Sequence, residues 1–66
     1  MDPDKIRKKL IELRGEKTLA TVAKGTGLTV QALCNYEAGI RIPRDEAKVA
    51  ISNYYGKTVQ EIFFDK

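Results

Sequence analysis

Apolar residues recur along the chain in short helical stripes, separated by glycines and opened by capping residues. Ile6, Leu10 and Leu13 fall at spacings of four and three, which is one face of a helix. Asp2-Pro3-Asp4 marks its start: an N-cap residue, a proline suited to the first helical position, and a carboxylate where the helix dipole favours one. Gly15 stops it after Arg14. Thr18 caps a second helix from Leu19 to about Lys24, with Gly25 and Gly27 supplying the backbone freedom of a tight turn. Thr29 caps a third from Val30 to about Ala38, and Gly39 stands where a left-handed closing residue is expected. Arg41-Ile42-Pro43 reads as a loop, because proline disfavours helical geometry in the residue before it. Asp45 and Glu46 open a fourth helix that Gly56 ends. Thr58-Val59-Gln60-Glu61 is a capping-box pattern, and the short fifth helix it opens carries Ile62, Phe63 and Phe64. No alternating strand pattern, repeat or low-complexity linker interrupts this order. The prediction is an all-α fold of five short helices forming one domain over residues 1–66.

The second and third stripes carry a set of spacings that one helix alone would not need. Val22 and Ala23 face inward, Gly27 follows Ala23 by four residues, Leu28 comes next, and Leu33 and Tyr36 are inward positions of the third helix. Two helices crossing near a right angle through a short turn require a small residue where the axes approach, a glycine in the turn and apolar anchors on the second helix. With threonine caps on both helices, the pair reads as a helix-turn-helix.

Composition narrows the function. Hydrophobic residues make up 42% of the 66 and charged residues 32%, which suits a soluble domain that folds unaided. A core this small can hardly enclose a ligand pocket of about 300 Å³. The chain has one cysteine and no histidine, so an intramolecular disulfide is impossible and neither a metal nor a cofactor is implied. No nucleophile–base pair presents itself, so no enzyme activity is expected. No apolar run approaches the roughly 18 residues of a membrane span, and a cytoplasmic protein is expected. The net charge is +3, and its distribution matters more than its size. Residues 1–44 hold nine Lys/Arg against five Asp/Glu, and residues 45–66 hold three against four. A polyanion would be met by the first two thirds of the chain.

From about Leu10 to Phe64 the sequence resembles the Cro/repressor-type helix-turn-helix regulators of bacteria and phages, the XRE family. The residues that carry the resemblance are T-L-A-T-V-A-x3-G-L-T from Thr18 to Thr29, Y-E-A-G from Tyr36 to Gly39, Arg41-Ile42-Pro43-Arg44-Asp45, and Y-Y-G-K-T-V-Q-E-I-F-F from Tyr54 to Phe64. It implies a compact lambda-repressor-like domain whose third helix lies in the major groove of a double-stranded operator. The implied function is sequence-specific transcriptional regulation, by a Cro-like repressor. Two departures stand out. The Arg14–Thr18 segment is shorter than the commonest pattern, and Leu19 replaces a glutamine that in many relatives touches DNA.

By position, the resemblance puts Val30, Gln31 and Asn35 on the DNA-facing side of the third helix. Residue chemistry agrees, since with Leu33 and Tyr36 inward these side chains project away or to the flank. The amides of Gln31 and Asn35 can pair with adenine N6 and N7, and Val30 can pack on a thymine methyl. Thr18, Lys24, Thr29, Arg41 and Arg44 occupy positions from which the family grips phosphates; for Lys24, ordinary surface charge is an equal reading. Glu37 is structural in the family and pairs with an arginine of the first helix, for which Arg14 is the candidate. Cys34 shares the reading helix, where an oxidised thiol would disturb docking.

One reading helix touches few base pairs, so such domains commonly pair about a two-fold axis. Ile62, Phe63 and Phe64 are consecutive and cannot all face one core. A homodimer with Phe63 or Phe64 near its axis is therefore expected, the other reading being that both rings close the domain's own core. The rival function is an antitoxin- or antirepressor-type module whose main partner is another protein.

Overall fold

Four of the five helices begin where the sequence supplies a capping side chain. In the computed structural model, which describes residues 2–64, the elements are α1 (Pro3–Arg14), α2 (Leu19–Thr26), α3 (Val30–Glu37), α4 (Asp45–Tyr55) and α5 (Val59–Phe63). Asp2, Thr18, Thr29 and Thr58 each accept a hydrogen bond from a backbone amide of the first turn that would otherwise lack a partner. Thr58 and Glu61 form a reciprocal capping box, each side chain accepting from the other's amide at 3.0 Å. α4 starts at Arg44 without a side-chain cap, its first turn carrying Asp45 and Glu46 instead. No strand occurs among the described residues.

The principal contacts run from α1 to α3, α3 to α2, α2 to α4, α4 to α5, and from α5 back to α1. This ring closes around one core of Ile6, Leu10, Val22, Leu33, Tyr36, Ala47, Ile51, Ile62 and Phe63. Ile51, on α4, has no exposed surface. Leu19, Ala23, Leu28 and Ala32 pack against the core from α2, α3 and the turn between them. That packing fixes the angle of α3 and decides which of its faces is left outward.

The structure corrects the sequence expectation at several points. α2 runs to Thr26 rather than Lys24, because Gly25 is a helical residue and not part of the turn. A Cβ at Gly25 would collide with the ring of Tyr54, so this glycine serves the approach of α2 to α4. Gly27 alone makes the turn, at φ 78°, its N–H reaching the Ala23 carbonyl. Phe63 does not offer a dimer surface. It is 4% exposed and part of the domain's own core, whereas Phe64 is 45% exposed. Pro43 and Lys48, neither expected inside, are also buried; the Lys48 ammonium lies 5.1 Å from the Phe64 ring centroid and 3.9 Å from Asp45.

Candidate nucleic-acid interface

α3 buries Leu33 and Tyr36 and leaves Val30, Gln31 and Cys34 exposed, with Asn35 half-buried at the edge. Three of the side chains on this outward face are an aliphatic group and two amides, with no carboxylate or ammonium among them. Nε2 of Gln31 donates to Oδ1 of Asn35 at 3.1 Å, so the two amides stand together. The end of α3 extends the arrangement. The Ile40 N–H reaches the Asn35 carbonyl at 3.0 Å and the Gly39 N–H reaches that of Tyr36 at 3.2 Å, a Schellman closure that needs the positive φ of Gly39. The Arg41 N–H shares the Asn35 carbonyl at 3.3 Å. The loop bearing Arg41 is thereby tied to the backbone of the outward face.

Arg41 and Arg44 are exposed and line one shallow cleft of about 240 Å³ with Leu28, Tyr36, Ile42, Glu46 and Ala47. Among the described residues neither arginine is held in an ion pair. Thr18 and Thr29 are exposed at the N-termini of α2 and α3. Each hydroxyl oxygen accepts a capping bond, from Thr21 at 3.1 Å and from Ala32 at 3.0 Å. Capping uses a lone pair, which leaves the Thr29 O–H to donate outward. The Thr18 hydroxyl is also within 2.9 Å of the Thr21 hydroxyl. Lys24 is exposed in the last turn of α2, and no contact among the described residues ties it to this group.

Electrostatics separate these two helix starts from the rest. α1 carries Asp4 in its first turn, α4 carries Asp45 and Glu46, and α5 carries Glu61; α2 and α3 carry no acid there. No acid in their own first turns offsets their positive dipole ends. Sequence reasoning missed this regularity, although it can be read from the residues after each cap.

Glu37, the one acid of α3, is turned away. Arg14 Nε lies 2.9 and 3.0 Å from its two oxygens, and Arg14 Nη1 donates to the Lys17 carbonyl at 2.7 Å. The hydrogen bond to Glu37 raises the pKa of Arg14 further above its ordinary value. Burial, and next the charge of Glu37, raise that of Tyr55. This arginine therefore clamps the α1–α2 loop to α3 in spite of the shortened Arg14–Thr18 segment. Sequence reasoning also overlooked Ile40, 76% exposed beside Arg41.

A larger concavity of about 350 Å³ lies between α1 and α5, lined by Lys9, Glu12, Leu13, Lys57, Glu61 and Ile62. It includes none of the α3 residues, and its mixed charges favour neither an anion nor a cation. No group of three potential metal ligands gathers among the described residues. No described helix is long and apolar enough to cross a membrane.

A family model described as helix-turn-helix matches residues 6–62 of this chain. Comparison with curated proteins and with solved structures gives no match.

Proposed function

The chain belongs to the Cro/repressor-type helix-turn-helix family of DNA-binding regulators, and we propose that it is a sequence-specific repressor that lays α3 in the major groove of an operator. The observation that carries this reading is the composition of the outward α3 face. It presents hydrogen-bonding amides and a methyl-bearing side chain to the exterior while its one carboxylate is clamped by Arg14. Val30, Gln31 and Asn35 meet base edges, as this chemistry allows. Thr18, Thr29, Arg41 and Arg44 meet phosphates on either side, with Lys24 as an outer contact, and the dipoles of α2 and α3 add to their attraction. Repression then comes from occupancy: a domain seated on the operator excludes polymerase.

Duplexes selected from a random pool supply the test. Replacing Gln31 by Ala should cost about 1–3 kcal/mol on the selected site and much less on random DNA. Equal losses on both duplexes, or no loss, would remove Gln31 from the reading face.

The reading extends to a homodimer. Phe64, which closes α5, is an exposed aromatic, and in a two-fold dimer it is the ring placed near the axis. Two reading helices would then meet half-sites about 34 Å apart. Sedimentation with a two-half-site duplex should give two protomers per duplex, and Phe64→Ala should weaken the second binding step. A strictly one-to-one complex at all concentrations contradicts the dimer.

A further inference from the structure

Gln31 and Asn35 lie one turn apart on α3, and the 3.1 Å bond from Nε2 of Gln31 to Oδ1 of Asn35 decides what each amide has left to offer. A primary amide has two N–H donors and one acceptor oxygen. Gln31 has committed one N–H, so it keeps Oε1 and a single N–H. Asn35 has its oxygen engaged and keeps both hydrogens of Nδ2. Gln31 thus presents one acceptor with one donor, which matches the N6–H and N7 of adenine, and Asn35 presents donors, which match the O4 of thymine or the O6 and N7 of guanine. Four residues of helix advance about 6 Å against about 3.4 Å per base step, so the two amides address bases no more than two steps apart.

Resting on the proposal that α3 reads the major groove, we infer that Gln31 and Asn35 act as one locked pair: Asn35 fixes the Gln31 amide so that it selects adenine, and itself selects a keto base within two steps. Asn35 is suited to the fixed role. It is half-buried, and its backbone carbonyl is held by the amides of Ile40 and Arg41 at 3.0 and 3.3 Å. Gln31 is exposed, with several rotatable bonds. A glutamine ordered before binding loses less rotamer freedom on docking, and an amide that cannot turn over cannot exchange its donor for its acceptor. The pair therefore raises discrimination at the Gln31 base without adding a contact to it.

The test compares affinities for duplexes differing at single base pairs of the selected site, for the wild-type protein and for Gln31→Ala, Asn35→Ala, Asn35→Asp and the double alanine variant. Ratios between duplexes cancel any uniform loss, including a smaller folded fraction. Asn35→Ala should reduce the preference for adenine at the Gln31 position at least about fivefold although Gln31 is still present, and the double-mutant cycle should be non-additive. Asn35→Asp, which keeps the acceptor for Gln31 but has no N–H, should retain the adenine preference and lose the keto preference. In the free protein, the side-chain amide resonances of Gln31 should move with Asn35→Ala and much less with Asn35→Asp. If Gln31→Ala abolishes the adenine preference and Asn35→Ala leaves it intact, the pairing is wrong while base reading by α3 stands. If Gln31→Ala changes no preference, base reading fails and the pairing with it.

Discussion

The N-termini of α3 and α5 are opened by the same device, a threonine whose hydroxyl oxygen accepts from the amide three residues on at 3.0 Å. Both helices also bury two side chains, Leu33 and Tyr36 in one, Ile62 and Phe63 in the other. They differ in the residues just after the cap. α5 places Glu61 in its first turn and closes a capping box, satisfying its own amides and its own dipole. α3 has no acid there, and α2 beside it has none either. An unneutralised helix N-terminus favours a nearby anion by about 0.3–1 kcal/mol. The start of α5 thus carries its own countercharge, and the start of α3 does not.

The largest expected effect separates the two faces of α3 itself. Leu33→Ala should destabilise the domain by about 2–5 kcal/mol, enough to leave a chain this small mostly unfolded, because Leu33 is 4% exposed and its removal opens a cavity. Gln31→Ala, on the outer face, should leave the melting temperature within the range of ordinary surface substitutions. Thermal unfolding monitored by circular dichroism checks both, and equal losses would erase the distinction between faces.

A smaller effect is expected where α3 meets α1. Glu37→Gln removes the acceptor charge from Arg14, whose side chain is 24% exposed against 11% for Glu37. The pair lies between a surface and a buried ion pair, and its loss should cost about 1–3 kcal/mol. Denaturant titration measures the loss. Base preference on the selected duplex should not change, since the acid is held by Arg14 rather than turned to the outward face of α3.

The smallest effect sharpens the difference between the two caps. The Thr58 amide, and then its hydroxyl, hold the Glu61 carboxyl below its ordinary value of 4.5. A lowered folded-state pKa means that the stabilisation is complete above pH 4.5 and is lost as pH falls through the lower value. On acidification the α5 amides should therefore lose hydrogen-exchange protection before those of α3, whose cap contains no carboxylate. Glu61→Gln should remove that pH dependence, and simultaneous loss in both helices in the wild-type protein would contradict the distinction.

All five helix starts were legible in the sequence, because a capping residue or an acidic first turn acts locally and needs no knowledge of the partner helix. The inward set Val22, Leu33 and Tyr36 was legible from spacing in the same way. The partnership of Arg14 with Glu37 came from the family resemblance, since no periodicity relates residues 23 apart in sequence. The features that stayed hidden depended on contacts between elements. Gly25 looks like a turn residue until the Tyr54 ring is placed against it. Phe63 ends a five-residue helix and Phe64 closes it, too short an element for a period to say which ring turns inward. Lys48 is buried with its ammonium over those two rings, a placement that its charge alone argues against. On the outward face of α3 the identities of Gln31 and Asn35 and their spacing were visible. The orientation of their amides was not, because it depends on a hydrogen bond between side chains.

Transfer of saturation from the protons of a bound duplex to the protein, read residue by residue, tests most directly whether the outward side of α3 is the DNA surface. The account predicts the strongest attenuation at Val30, Gln31 and Asn35, weaker attenuation at Thr18, Thr29, Arg41 and Arg44, and none along α5. Attenuation centred on α1 and α5, with α3 unaffected, would contradict it.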